Sequence, residues 1–101
     1  DTNYHLMTKC LMIKTYYENE EVIPLFSLID TFIAFANRNR KISSFHKKLY
    51  ANFAKIVKKM SKIKMGSKIS PLKLKEEVGE IRQIADALWL HEKLDKLIEQ
   101  G

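Results

Sequence analysis

Apolar residues recur along nearly the whole chain at helical spacing rather than with the strict alternation of a half-buried strand. Leu6, Cys10, Ile13 and Tyr17 fall at i, i+4, i+7 and i+11. They mark one face of a helix from about Asn3 to Glu18, with Thr2 or Asn3 as N-cap. Met7 and Leu11 widen that face. A turn at Glu18–Glu21 leads into a second helix, about Glu21 to Asn37. Pro24 has no N–H and fits only a first turn, and Glu20 and Glu21 suit the positive end of the helix dipole. From Val22 to Ala36 the apolar positions cover roughly half the circumference, which predicts a central helix packed on two neighbours. Asn37-Arg38-Asn39-Arg40-Lys41 ends it. Either asparagine suits the left-handed conformation common at helix C-termini, and the cations suit the negative dipole end.

A third helix, about Ser44 to Met65 with Ser43 or Ser44 as cap, has the cleanest pattern. Phe45, Leu49, Phe53, Ile56, Val57, Met60 and Ile63 occupy an arc of about 120°. Lys47, Lys48, Lys55, Lys58, Lys59 and Lys62 fall in a second arc nearly opposite. After the loop Gly66–Ile69, Ser70-Pro71 is an N-cap followed by proline at the first helical position. A fourth helix runs from about Pro71 to Gln83 through Leu74, Val78 and Ile81. Gly79 within it costs about 1 kcal/mol relative to alanine. Asp86 is placed to cap a fifth helix, about Ala87 to Gln100, carrying Leu90, Leu94, Leu97 and Ile98, with Gly101 as C-terminal cap. Leu74, Val78, Ile81, Ala85 and Leu88 also fit one continuous bent helix, so four helices and five both satisfy the pattern. The fold class is all-α: four or five antiparallel helices stacked as αα-hairpins, solenoid-like or a bundle, in one domain over residues 1–101.

Composition narrows this further. With 3 glycines and 2 prolines in 101 residues, the chain lacks the turns of a sandwich or barrel. Its 1 cysteine excludes an internal disulfide framework and a cysteine-rich zinc site. No apolar run reaches the roughly 18 residues of a membrane span. The chain opens on Asp1 rather than Met, which reads as a piece of a longer protein, and a reducing cytoplasm is the default compartment.

Charge is segregated. The 18 basic residues outnumber the 12 acidic ones for a net +6, and every charged residue between Thr31 and Lys75 is basic. A basic field of this kind is the footprint of an anionic partner, or else a solvated face. Three features weigh against nucleic acid: the predominance of lysine over arginine, a lysine arc without interleaved aromatics, and a general abundance of Lys, Ile and Asn. A membrane surface is weaker still, because the apolar face of the third helix is needed for the core.

Candidate chemistry is sparse. His5, His46 and His91 lie on different helices, and none has a His or Cys at i+3 or i+4. Cys10 sits on an apolar stripe and reads as a buried, inert thiol. Glu76, Glu77 and Glu80 read as complements of a helix start rather than an acid–base pair. Tyr16, Tyr17 and Trp89 read as packing anchors. No glycine-rich phosphate loop exists, and no catalytic residue, cofactor or metal ligand is assigned.

Several stretches carry a resemblance: Leu11-Met12-Ile13-Lys14-Thr15-Tyr16-Tyr17-Glu18, Leu25-Phe26-Ser27-Leu28-Ile29-Asp30-Thr31-Phe32, Arg38-Asn39-Arg40-Lys41-Ile42-Ser43, Tyr50-Ala51-Asn52-Phe53 and Trp89-Leu90-His91-Glu92-Lys93-Leu94. Together the chain resembles the C-terminal end of a group of bacterial helical-repeat proteins, tetratricopeptide-like in architecture. The resemblance implies an α-solenoid end segment and no known activity. The expected function is protein–protein interaction or scaffolding, with a protein partner or upstream repeats of the same chain docking on Met7, Leu11 and Met12. The alternative is sequence-nonspecific nucleic-acid binding through Lys47, Lys48, Lys55, Lys58, Lys59 and Lys62.

Overall fold

The computed structural model describes residues 2–101. Its five helices are α1 (Thr2–Glu18), α2 (Val22–Arg38), α3 (Ser44–Lys64), α4 (Pro71–Glu80) and α5 (Ala87–Gln100), with no strand among the described residues. Two of the starts follow directly from side-chain caps. The Ser43 hydroxyl accepts from the His46 N–H at 3.1 Å, and the Ser70 hydroxyl from the Lys73 N–H at 3.2 Å, with Pro71 at the first helical position. Each satisfies a donor that a helix N-terminus otherwise leaves unpaired.

Several expected termini differ. α1 already includes Thr2 and Asn3, so neither precedes it as N-cap; the Asn3 side chain and the residue before the helix lie outside the described residues. At the end of α2 neither asparagine is left-handed. Asn39 is extended, and its side-chain oxygen instead accepts the Lys41 N–H at 2.9 Å, closing a local turn. α4 and α5 are separate helices, and α4 stops at Glu80 rather than Gln83. The cause lies on α3. The Asn52 amide donates to the Gln83 carbonyl at 2.9 Å, and the Ala85 N–H donates to the Leu49 carbonyl at 3.1 Å. These two bonds draw the linker onto α3 and replace the helical bonds it would otherwise make. Glu76, Glu77 and Glu80 fall past the first turn of α4, which starts at Pro71, and do not complement its start. Asp86 holds the N-cap position of α5 but adopts φ 53° and makes no capping bond. Its carboxylate is turned to Lys14 at 2.6 Å instead.

Consecutive helices pack antiparallel, and α3 is the hub. It touches each of the other four, whereas α2, whose stripe predicts the central position, touches only α1 and α3. At 21 residues α3 is about 30 Å long, enough to carry one hairpin on each flank. Phe53, Val57 and Met60 on α3 are fully buried against Leu6 and Ile13 of α1, Leu25, Ile29 and Phe32 of α2, and Leu90 and Leu94 of α5. Burying each such side chain contributes about 1.5–3 kcal/mol. The sequence pattern misjudges Phe45, which is 51% exposed at the N-terminal end of α3. No helix among the described residues is long and apolar enough to cross a membrane.

Candidate functional site

The architecture leaves two troughs along α3. The hairpin α1–α2 lies on one flank and α4–α5 on the other, and among the described residues neither helix of one hairpin approaches the backbone of the other hairpin's helices directly; α3 joins them. One trough separates α1 from α5. The other separates α2 from α4.

Side chains close the first trough along much of its length. Tyr17 of α1 meets Trp89 of α5 edge-to-face at 5.7 Å, and Trp89 leans on Phe53 beneath at 6.0 Å. Lys14 pairs with Asp86, and Lys93 pairs with Glu18. Both ammonium groups also stand over the Trp89 ring, at 5.7 and 5.8 Å. Lys64 adds a cation 4.0 Å from the Tyr17 ring. The packing role expected for Tyr17 and Trp89 is therefore as expected, whereas no spacing rule within one helix could have paired them.

Toward the start of α1 this seam opens. Met7, Cys10, Leu11 and Lys14 face Leu49, Tyr50, Ala85 and Asp86 across a groove of about 470 Å³. Met7 and Leu11 are each 64% exposed, and Met12, 41% exposed, is not part of the groove wall. The structure thus brings two of the three candidate docking residues together. It adds α3 and linker residues that sequence reasoning missed, since Leu49 reads there as core and Asp86 as a cap.

Cys10 lies at the base of this groove with its thiol pushed up to about 12. Burial is the main cause, the Asp86 carboxylate adds to it, and Lys14 opposes both weakly. The group therefore stays a thiol at neutral pH, where a nucleophile would need to be thiolate. Tyr50 is raised for the same first reason, burial, followed by Cys10 and Asp86.

The second trough has a different character. On its α2 side, Lys58 pairs with Asp30 at 3.2 Å and lies over the Phe26 ring at 5.3 Å. Lys47 donates to the Asn37 carbonyl at 3.3 Å. On its α4 side, Lys59 pairs with Glu77 at 3.3 Å. Beside the α4 pair, Lys55, Lys58, Lys59 and Lys62 line a groove of about 280 Å³ with Asn52, Ile56, Glu77 of α4 and Ile81 just after it. Lys48, Lys55 and Lys62 are exposed and make no ion pair or hydrogen bond among the described residues. So four of the six candidate lysines, Lys55, Lys58, Lys59 and Lys62, line one groove, and Lys47, Lys58 and Lys59 are already partnered within the chain.

Among the described residues, no three His, Cys, Asp or Glu side chains are grouped to hold a metal ion. The molecule defined by these features is a small all-helical domain with one aromatic seam and one lysine-lined trough. No family model, curated protein or solved structure matches it.

Proposed function

We propose that the chain is a non-enzymatic docking segment of a tetratricopeptide-like helical-repeat protein, working in protein–protein interaction or scaffolding. Its docking edge is the open end of the seam between α1 and α5. One observation carries the reading: Met7 and Leu11, at 64% exposure each, border a groove whose opposite wall is Leu49, Tyr50 and Ala85. Exposed apolar side chains beside a preformed concavity are the usual preparation for a helix-in-groove contact. The Lys14–Asp86 pair at the edge gives such a partner helix a polar landmark for register. Met12 extends the apolar surface on the next face of α1.

The test is differential affinity purification of the tagged full-length protein from its own cells. Wild type is compared with Leu11→Lys and with Lys55→Gln. The expected result is a specific protein retained by wild type and Lys55→Gln and lost with Leu11→Lys. Identical retention by all three forms contradicts the reading.

A further inference from the structure

Lys48, Lys55 and Lys62 stand seven residues apart on α3. On an α-helix this places them about 10.5 Å apart along the axis, with a drift of only about 20° per step. They form one exposed row along α3, whose neighbours α2 and α4 do not touch each other, and Lys55 and Lys62 of the row line the groove beside α4. The lysines on either side of the row already hold carboxylates of the chain, Asp30 from the α2 rim and Glu77 from the α4 rim. The row itself holds none among the described residues. Beside it the groove is walled by Asn52 and by the apolar side chains of Ile56 and Ile81.

We infer that this trough is a second binding site, distinct from the edge at Met7 and Leu11, and that it takes an acidic helical segment of a protein. Three observations select that occupant. The free ammonium groups repeat at the interval at which a partner helix repeats its own face, so carboxylates seven residues apart meet them one for one. The pairs at Asp30 and Glu77 are the same chemistry already realised on both rims. And apolar wall residues beside the lysines suit a polypeptide with alkyl side chains next to its carboxylates. A nucleic-acid strand finds less here. The row carries no aromatic platform for bases and no arginine for bidentate phosphate contact.

The test uses the intact protein and a fluorescein-labelled helical peptide of about six turns with glutamate at every seventh position. Comparison probes are an isomer of the same composition with glutamates off that register, a single-stranded RNA and a duplex DNA. Anisotropy is read at neutral pH from about 20 to about 200 mM salt. The register peptide is expected to bind at low salt and weaken as salt rises. The isomer is expected to bind at least about tenfold more weakly, as is the K48Q/K55Q/K62Q variant with an unchanged circular dichroism spectrum. Leu11→Lys is expected to bind as wild type does, which separates failure here from failure of the docking edge. The inference is overturned by no binding of the register peptide at the lowest salt, by equal binding of the isomer, by wild-type affinity in the triple variant, or by loss of the peptide in Leu11→Lys. Tighter binding of RNA or DNA than of peptide also overturns it and assigns the row to phosphate.

Discussion

The two troughs flank the same helix and differ in what fills them. Between α1 and α5 the gap is spanned by an aromatic pair and two ion pairs, so the hairpins are held together by side chains where their backbones do not meet. Between α2 and α4 the lysines turn outward to their own rim and leave the middle unspanned. Apolar and aromatic groups gain from meeting across a gap, whereas like-charged ammonium groups keep it open. One side of α3 therefore supports the fold, and the other is free to respond to charge.

That contrast is broken most severely at the hub. Phe53 lies fully buried beneath Trp89, and Phe53→Ala is expected to cost about 3–5 kcal/mol. Urea denaturation measures it; a loss under about 1 kcal/mol would mean that α3 does not hold the two hairpins together. Trp89→Ala comes next, at about 2 kcal/mol, because the ring is half-buried but contacts both Tyr17 and Phe53.

The seam is also sensitive to alkali. Cys10 is raised from 9.0 to about 12 by burial, and Tyr17 is raised by burial and then by Glu18 and Glu20. An acid whose folded pKa is raised leaves stability intact below its unfolded value, because both states are then protonated. Above that value the unfolded chain releases the proton and the folded chain does not, so stability falls as pH rises from about 9 toward 12. Denaturation midpoints at pH 8 and pH 10.5 should differ in that direction, and Cys10→Ala should narrow the difference. A midpoint rising with pH would contradict the burial of both groups.

Smaller effects separate the troughs. Asp86→Ala removes a partly exposed ion pair while keeping a side chain at φ 53°, for an expected loss of about 1 kcal/mol. Asp86→Gly loses the same pair but relieves the left-handed backbone, so it should cost less. Lys55→Gln and Lys62→Gln should change stability by less than about 0.5 kcal/mol. A larger loss from either would show that the row has structural partners.

Helix placement was legible because Leu6, Cys10, Ile13 and Tyr17, and likewise Leu90, Leu94 and Leu97, are spaced for burial of one face, and Ser43 and Ser70-Pro71 announce the starts. The early end of α4 was not legible, since it is imposed by Asn52 and Leu49 on another helix. Asp86 looked like a cap because aspartate caps in general; the Lys14 ammonium and a left-handed backbone redirect it. Of the candidate surfaces, the lysine arc could be placed on one face from its spacing alone. Which lysines stay free depends on Asp30 and Glu77, which only the tertiary packing brings near.

Site-specific photo-crosslinking tests the functional account most directly. A benzophenone amino acid is placed at Leu11, at Lys55 or at Glu99 of the full-length protein in its own cells, and the adducts are identified by mass spectrometry. A protein adduct at Leu11 that persists at high salt, a salt-sensitive protein adduct at Lys55, and none at Glu99 are expected. Equal labelling at all three positions, or no protein adduct at Leu11, would contradict that expectation.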